Sequence, residues 1–168
     1  YFNVVHDTNR PFIVAGNDAR IEVLGTSFNV NTTSGKNTIQ VILTTGKVSL
    51  YFNDNLSEKV ILKPGEQAEI STIEKKIVTT PNLDPNYMAW KTGVITFNNS
   101  GLDNVAATLE KVFQKPIKLE NQQLANCRLT AVFDNQSLTS VLHVIQATLD
   151  IEIKQENGLI LLGGKGCN

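Results

Sequence analysis

Over roughly the first half of the chain, apolar positions recur at every second residue. Ile21 and Val23 alternate with charged or polar neighbours, as do Ile39, Val41 and Leu43, and then Val48, Leu50 and Phe52. Successive side chains of a strand point to opposite faces, so each run predicts a half-buried strand. The interruptions carry turn chemistry: Gly16-Asn17-Asp18, Ser34-Gly35-Lys36, Thr45-Gly46, Asn53-Asp54-Asn55 and Lys63-Pro64-Gly65-Glu66. In the last of these, Pro64 presets φ at the second turn position and Gly65 tolerates positive φ at the third, the pattern of a type II turn. About seven or eight short strands, spaced by about ten residues, predict an antiparallel sandwich, barrel or roll with no helix of useful length.

The stretch Thr79-Thr80-Pro81-Asn82-Leu83-Asp84-Pro85-Asn86 is polar, holds two prolines and reads as a linker. The expected division is a β domain over 1–80, a linker over 81–89 and a second domain over 90–168. Trp90, the only tryptophan, is expected to anchor the start of the second domain in its core, in preference to binding a ligand.

Beyond Trp90 the period changes. Val94-Ile95-Thr96-Phe97 predicts a strand; Leu102, Val105, Ala106, Leu109, Val112 and Phe113 form a helical stripe that Lys115-Pro116 ends. Ile117-Lys118-Leu119 predicts another strand. The series then recurs 36 positions later: Phe97, Asn99, Leu102, Val105, Leu109, Phe113, Ile117 and Asn121 become Phe133, Asn135, Leu138, Val141, Ile145, Leu149, Ile153 and Asn157. A match that follows strand, cap, helix and strand in register indicates a duplicated unit. Asn98-Asn99-Ser100 and Asp134-Asn135-Gln136-Ser137 supply polar caps for the two helices. Glu156-Asn157-Gly158 predicts a hairpin turn into Leu159-Ile160-Leu161-Leu162. The expected order is β-α-β-β-α-β-β, with two helices on one face of a small sheet, and the whole chain is of the α+β class.

Composition then narrows the function. With 41% hydrophobic and 18% charged residues, the 168-residue chain has the make-up of a globular protein. A net charge of −1 and the lack of a basic cluster argue against nucleic-acid and anionic-membrane partners. No apolar run approaches the roughly 20 residues of a membrane helix. The opening Tyr1-Phe2-Asn3-Val4-Val5 has neither an initiator methionine nor a signal-peptide pattern. It reads as the middle of a strand, so the β domain is expected to be N-terminally truncated, with any anchor outside the chain.

Chemistry-bearing residues are sparse. His6-Asp7 reads as an exposed loop pair, and His143 lies off the apolar stripe of its helix, where the first copy has Ala107. No Gly-x-Ser-x-Gly elbow occurs. Gly163-Gly164-Lys165-Gly166 is followed by no helix that could present amides to a phosphate, and reads as a flexible tail. No carboxylate pair and no metal-ligand cluster stands out, so no catalytic residue, metal or cofactor is expected. Cys127 and Cys167 allow two readings, unrelated thiols or a disulfide tying the tail to an earlier strand. The second requires an oxidising compartment, and by loop-closure entropy would contribute about 4 kcal/mol. An exposed sheet edge is the natural interaction site, at residues 151–155 or 159–162 (Ile151, Ile153, Gln155, Leu159 and Leu161).

Certain motifs suggest a family. Tyr1-Phe2-Asn3-Val4, His6-Asp7, Arg10-Pro11-Phe12-Ile13-Val14 and above all Val23-Leu24-Gly25-Thr26-Ser27-Phe28-Asn29-Val30 resemble the middle of a FecR-type extracytoplasmic domain. Gly46-Lys47-Val48 and Leu62-Lys63-Pro64-Gly65-Glu66-Gln67-Ala68 follow in that family's order. Trp90, Phe97-Asn98-Asn99, the second Phe-x-Asn at Phe133 and Asn135, and Gly166-Cys167 resemble the small C-terminal domain that accompanies it in Bacteroidetes-like regulators. That module is in turn similar to the short signalling domain of secretins and TonB-dependent transducers. The resemblance implies the periplasmic part of a transmembrane anti-sigma factor. Such a protein would meet the N-terminal signalling domain of a TonB-dependent transporter, and would reach an extracytoplasmic-function sigma factor through a cytoplasmic segment and a membrane helix that this sequence lacks. Gly25 is expected to supply a tight turn, and Phe28 and Val30 a core face. The rival reading is a cell-surface structural or carbohydrate-binding β module, which would need exposed aromatics; Tyr51 and Phe52 are its only adjacent candidates.

Overall fold

A computed structural model of the chain describes residues 1–32 and 37–167. The expected Ser34-Gly35-Lys36 turn lies outside them. The chain forms two compact units, Tyr1–Leu83 and Asp84–Asn168, and is mostly strand, at 48% against 20% helix.

In the first unit the described strands are β1 (Phe2–Asn3), β2 (Phe12–Gly16), β3 (Ala19–Val23), β4 (Ser27–Asn31), β5 (Thr38–Thr45), β6 (Val48–Phe52), β7 (Asn55–Leu62), β8 (Glu66–Ser71) and β9 (Lys76–Pro81). They form two antiparallel sheets, in the orders β1-β4-β5-β8-β9 and β2-β3-β6-β7. Both sheets feed one core, in which Ile21, Val41, Leu43, Val48, Leu50 and Ile70 are almost wholly buried around Phe28. Phe2 stacks on Phe28 with ring centroids 5.1 Å apart. Gly65 has φ +85° and the Glu66 amide donates to the Lys63 carbonyl at 3.0 Å, as the Pro-Gly turn chemistry requires. Gly25 has φ +108°, and a Cβ there would lie 2.5 Å from the His6 backbone, so the close approach of two chain segments excludes any side chain. Val30 packs against the core rim.

Pro81, expected to open the linker, instead ends β9 together with Thr79 and Thr80 of the same polar stretch, paired with Glu66, Ala68 and Gln67. The correction has a physical basis: β-branched threonines suit a strand, and β9 is an edge, where proline's missing N–H costs nothing.

The second unit runs α1 (Ala89–Thr92), β10 (Val94–Gly101), α2 (Leu102–Phe113), β11 (Ile117–Leu119), a 3-10 turn (Gln122–Asn126), β12 (Arg128–Asp134), α3 (Leu138–Leu149), β13 (Glu152–Glu156) and β14 (Leu159–Gly163). The helices of the two copies have equal length at the 36-residue offset, and the left-handed residues repeat with them: Asn99 with Asn135 and Gln114 with Asp150, at φ between 49 and 53°. The single small sheet expected under the helices is absent. There are two sheets, the antiparallel pair β10-β12 and the three-stranded β11-β14-β13. The first strands of the two copies pair with each other. Their last strands flank β14, β11 parallel to it and β13 antiparallel. Leu109 and Ile145 on the helices, Phe97 and Phe133 on one sheet and Ile160 and Leu162 on the other share one core.

Trp90 is not in that core: it is 51% exposed, and its neighbour Ala89 is buried instead. α1 is a single turn closed by Gly93 at φ +73°, so only one side of it can face inward, and that side carries alanine. The polar caps also divide. Ser137 caps α3 by accepting from the Ser140 amide at 3.2 Å, whereas α2 starts at Gly101 with no side-chain cap. In its place the Leu102 amide donates to the Cys127 carbonyl at 3.0 Å.

Candidate interaction site

The expected edge residues fall into two groups. β14 is the central strand of its sheet, so Leu159 and Leu161 cannot lie at an edge. Four consecutive apolar residues suit a strand covered on both faces, as interior strands most often are, and that signal was present in the sequence. Ile151 is buried, 4% exposed, ahead of β13. Ile153 and Gln155 remain, on β13, which has β14 on one side and no strand on the other among the described residues.

The hydrogen-bond phase shows which groups that edge offers. The Ile160 amide donates to the Pro116 carbonyl and the Leu162 carbonyl accepts from the Glu120 amide, both at 2.9 Å, so Ile160 and Leu162 point their backbone at β11. Their neighbours Leu159, Leu161 and Gly163 therefore face β13, where the register pairs them with Glu156, Lys154 and Glu152. The alternate residues Ile153 and Gln155 turn their N–H and C=O outward. Lys154 stands between them, its Nζ 3.0 Å from Glu120 and 3.9 Å from Glu152. The Glu120 carboxylate, foremost by hydrogen bonding, raises the Lys154 ammonium above its ordinary value. A charged residue on an edge discourages indiscriminate pairing while leaving the backbone groups available to a matched partner.

The other sheet holds features that the sequence reading missed. Asn86 is 8% exposed. Its side-chain amide donates to the Thr96 carbonyl at 2.9 Å and its side-chain oxygen accepts from the Thr96 amide at 2.7 Å. One asparagine thus seals the outer edge of β10 as a strand would. Among the described residues no side chain bonds both the N–H and the C=O of one β12 residue in this way; Gln136 donates to the Asp134 carbonyl alone, and the alternate residues Arg128, Thr130, Val132 and Asp134 are exposed.

The structure joins Cys127, just ahead of β12, to Cys167, with Cα atoms 4.9 Å apart. The glycine-rich tail is accordingly held down and not free: the Gly164 carbonyl also accepts from the Asn121 side chain at 3.1 Å. In the first unit a concavity of about 440 Å³ is lined by His6, Glu22, Leu24, Gly25, Ser49 and Ile61. Its carboxylate is already engaged: Lys59 sits 2.9 Å from Glu22, and that hydrogen bond holds the carboxyl below the usual glutamate range. Among the described residues no group of three or more metal-ligating side chains occurs, and no helix is long and apolar enough to cross a membrane. Tyr51 and Phe52, the aromatics needed by a glycan-binding reading, are each only 7% exposed.

The arrangement is that of a β-rich protein whose distinctive surfaces are unpaired strand edges. Residues 1–49 match the family model described as FecR protein, and residues 94–162 match the one described as FecR, C-terminal. The two matches, in succession along the chain, support a FecR-type regulator domain. Two crystal structures of a proposed anti-sigma factor from Parabacteroides distasonis ATCC 8503 are similar to it, at 29% identity, with 98% of this chain and 76% of that one covered. Their TM-scores are 0.61 and 0.60. No curated protein matches the chain.

Proposed function

We propose that this chain is the periplasmic sensing part of a transmembrane anti-sigma factor. It receives a signal by contact with the N-terminal signalling domain of a TonB-dependent outer-membrane transporter, and so regulates an extracytoplasmic-function sigma factor. The observation that carries this reading is the succession of a FecR match and a FecR C-terminal match along one chain, together with a similar crystal structure of a proposed anti-sigma factor. A regulator of that family works by binding and is not an enzyme. A Cys127–Cys167 disulfide accords with an oxidising compartment such as the periplasm.

The contact takes place by strand addition at β13, with the outward backbone groups of Ile153 and Gln155 supplying hydrogen bonds and Lys154 supplying selectivity. Calorimetric titration with the cognate transporter's signalling domain tests the reading. Binding that weakens when Gln155 is replaced by proline, in a variant that still unfolds cooperatively, is the expected result. Absence of binding at high micromolar concentration would remove the transporter from the account.

A further inference from the structure

β12 is a further open edge of the second unit, and its chemistry fits a second copy of itself. The register pairs Ile95 with Phe133 and Phe97 with Ala131, and the Asn135 amide donates to the Gly93 carbonyl at 3.0 Å in the same phase. Thr96, whose backbone is taken by Asn86, marks the alternate, outward phase. Its partner is Val132, so Val132 and its alternates Arg128, Thr130 and Asp134 direct N–H and C=O away from β10. The Asp134 carbonyl also accepts from the Gln136 side chain at 3.3 Å. Val132 is 66% exposed.

We propose that β12 pairs antiparallel with β12 of a second copy, about a two-fold axis at Ala131. In this register Arg128 lies opposite Asp134 of the second copy, and Thr130 opposite its Val132. The strand begins with a cation and ends with an anion, so two-fold pairing places opposite charges together at both ends. At the axis the two Ala131 residues form a closely spaced non-hydrogen-bonded pair, and alanine is small enough for that approach. Centring the axis on Val132 would instead set Thr130 against Asp134 and Arg128 against Gln136, leaving the charges unmatched. Two-stranded sheets from two copies become one four-stranded sheet. Asn86 blocks the outer edge of β10 in each copy, so the assembly closes as a dimer and does not extend into a filament. This goes beyond the transporter contact, which uses β13.

The test is sedimentation velocity on the whole chain from low micromolar to millimolar concentration, with four variants. The wild type is expected to move from monomer to dimer mass across that range. Val132→Pro should abolish the dimer and keep the fold, because the N–H it deletes is not used in pairing with β10. Arg128→Asp and Asp134→Arg should each weaken the dimer severalfold, and the double swap R128D/D134R should restore it, which pairing with an unrelated strand would not do. A wild type that stays monomeric at millimolar concentration would overturn the proposal, as would dimerisation of Val132→Pro or failure of the double swap to recover. A monomer whose binding to the transporter domain is lost in Val132→Pro would also overturn it and assign β12 to that partner.

Discussion

β10 and β12 are the same strand written twice, and they end in different circumstances. Both put a phenylalanine into the shared core, Phe97 and Phe133, with ring centroids 6.3 Å apart. Both run on to a left-handed asparagine and a helix of equal length. Yet the outer edge of β10 is closed by Asn86, and that of β12 stands open with Val132 on it. The repeat specifies elements. What each element meets is decided by residues outside the repeat, here an asparagine upstream of the first copy with no counterpart upstream of the second.

The largest perturbation removes the bridge that ties the start of β12 to the tail. Replacing Cys127 and Cys167 together by serine should lower unfolding free energy by about 4 kcal/mol, from the loop-closure entropy returned to the unfolded chain. Urea unfolding with and without a reductant checks it: the wild type under reductant should approach the variant, and the variant should not respond. Next is the seal itself. Asn86→Ala leaves the Thr96 amide and carbonyl without their partner and should cost about 1–3 kcal/mol. It should also speed hydrogen exchange of the Thr96 amide, making β10 resemble β12.

The helix starts give a smaller contrast. Ser137→Ala removes the cap of α3 and should cost about 1 kcal/mol in urea unfolding. The equivalent position in the first copy is Gly101, which has no side chain to lose. Smallest is the ion pair joining the copies, Lys154 with Glu120. Both groups are substantially exposed, so Lys154→Gln should leave the midpoint nearly unchanged at neutral pH. The folded-state pKa of Lys154 is raised, so whatever it contributes is complete below the ordinary lysine value of 10.5 and is lost as pH rises through the higher folded value. Thermal unfolding of the wild type and Lys154→Gln should therefore converge on the alkaline side and not on the acid side.

Much of this was legible beforehand. Alternation located the core positions Ile21, Val23, Leu50 and others because one buried face imposes period two whatever the pairing. The helical stripes fixed α2 and α3 for the same reason at a longer period. Which strands pair was not legible, since that depends on distant contacts: β11 and β13 meet only through β14. Trp90 misled because size and hydrophobicity do not say which side of a one-turn helix faces inward. Asn86 was hidden in a stretch that reads as polar linker, and nothing local distinguishes an asparagine that bonds a strand edge from one that bonds water. Ile153 and Gln155 were legible as strand residues, but their outward phase needed the Ile160 and Leu162 bonds on the other side of β14.

The sealed and open edges are compared most directly by residue-resolved amide hydrogen exchange on dilute protein. Thr96 should exchange slowly, because its amide is held by Asn86 at 2.7 Å, and Thr130 and Val132 should exchange fast within the same sheet. Equal protection of Thr96 and Val132 in dilute monomer would contradict the account.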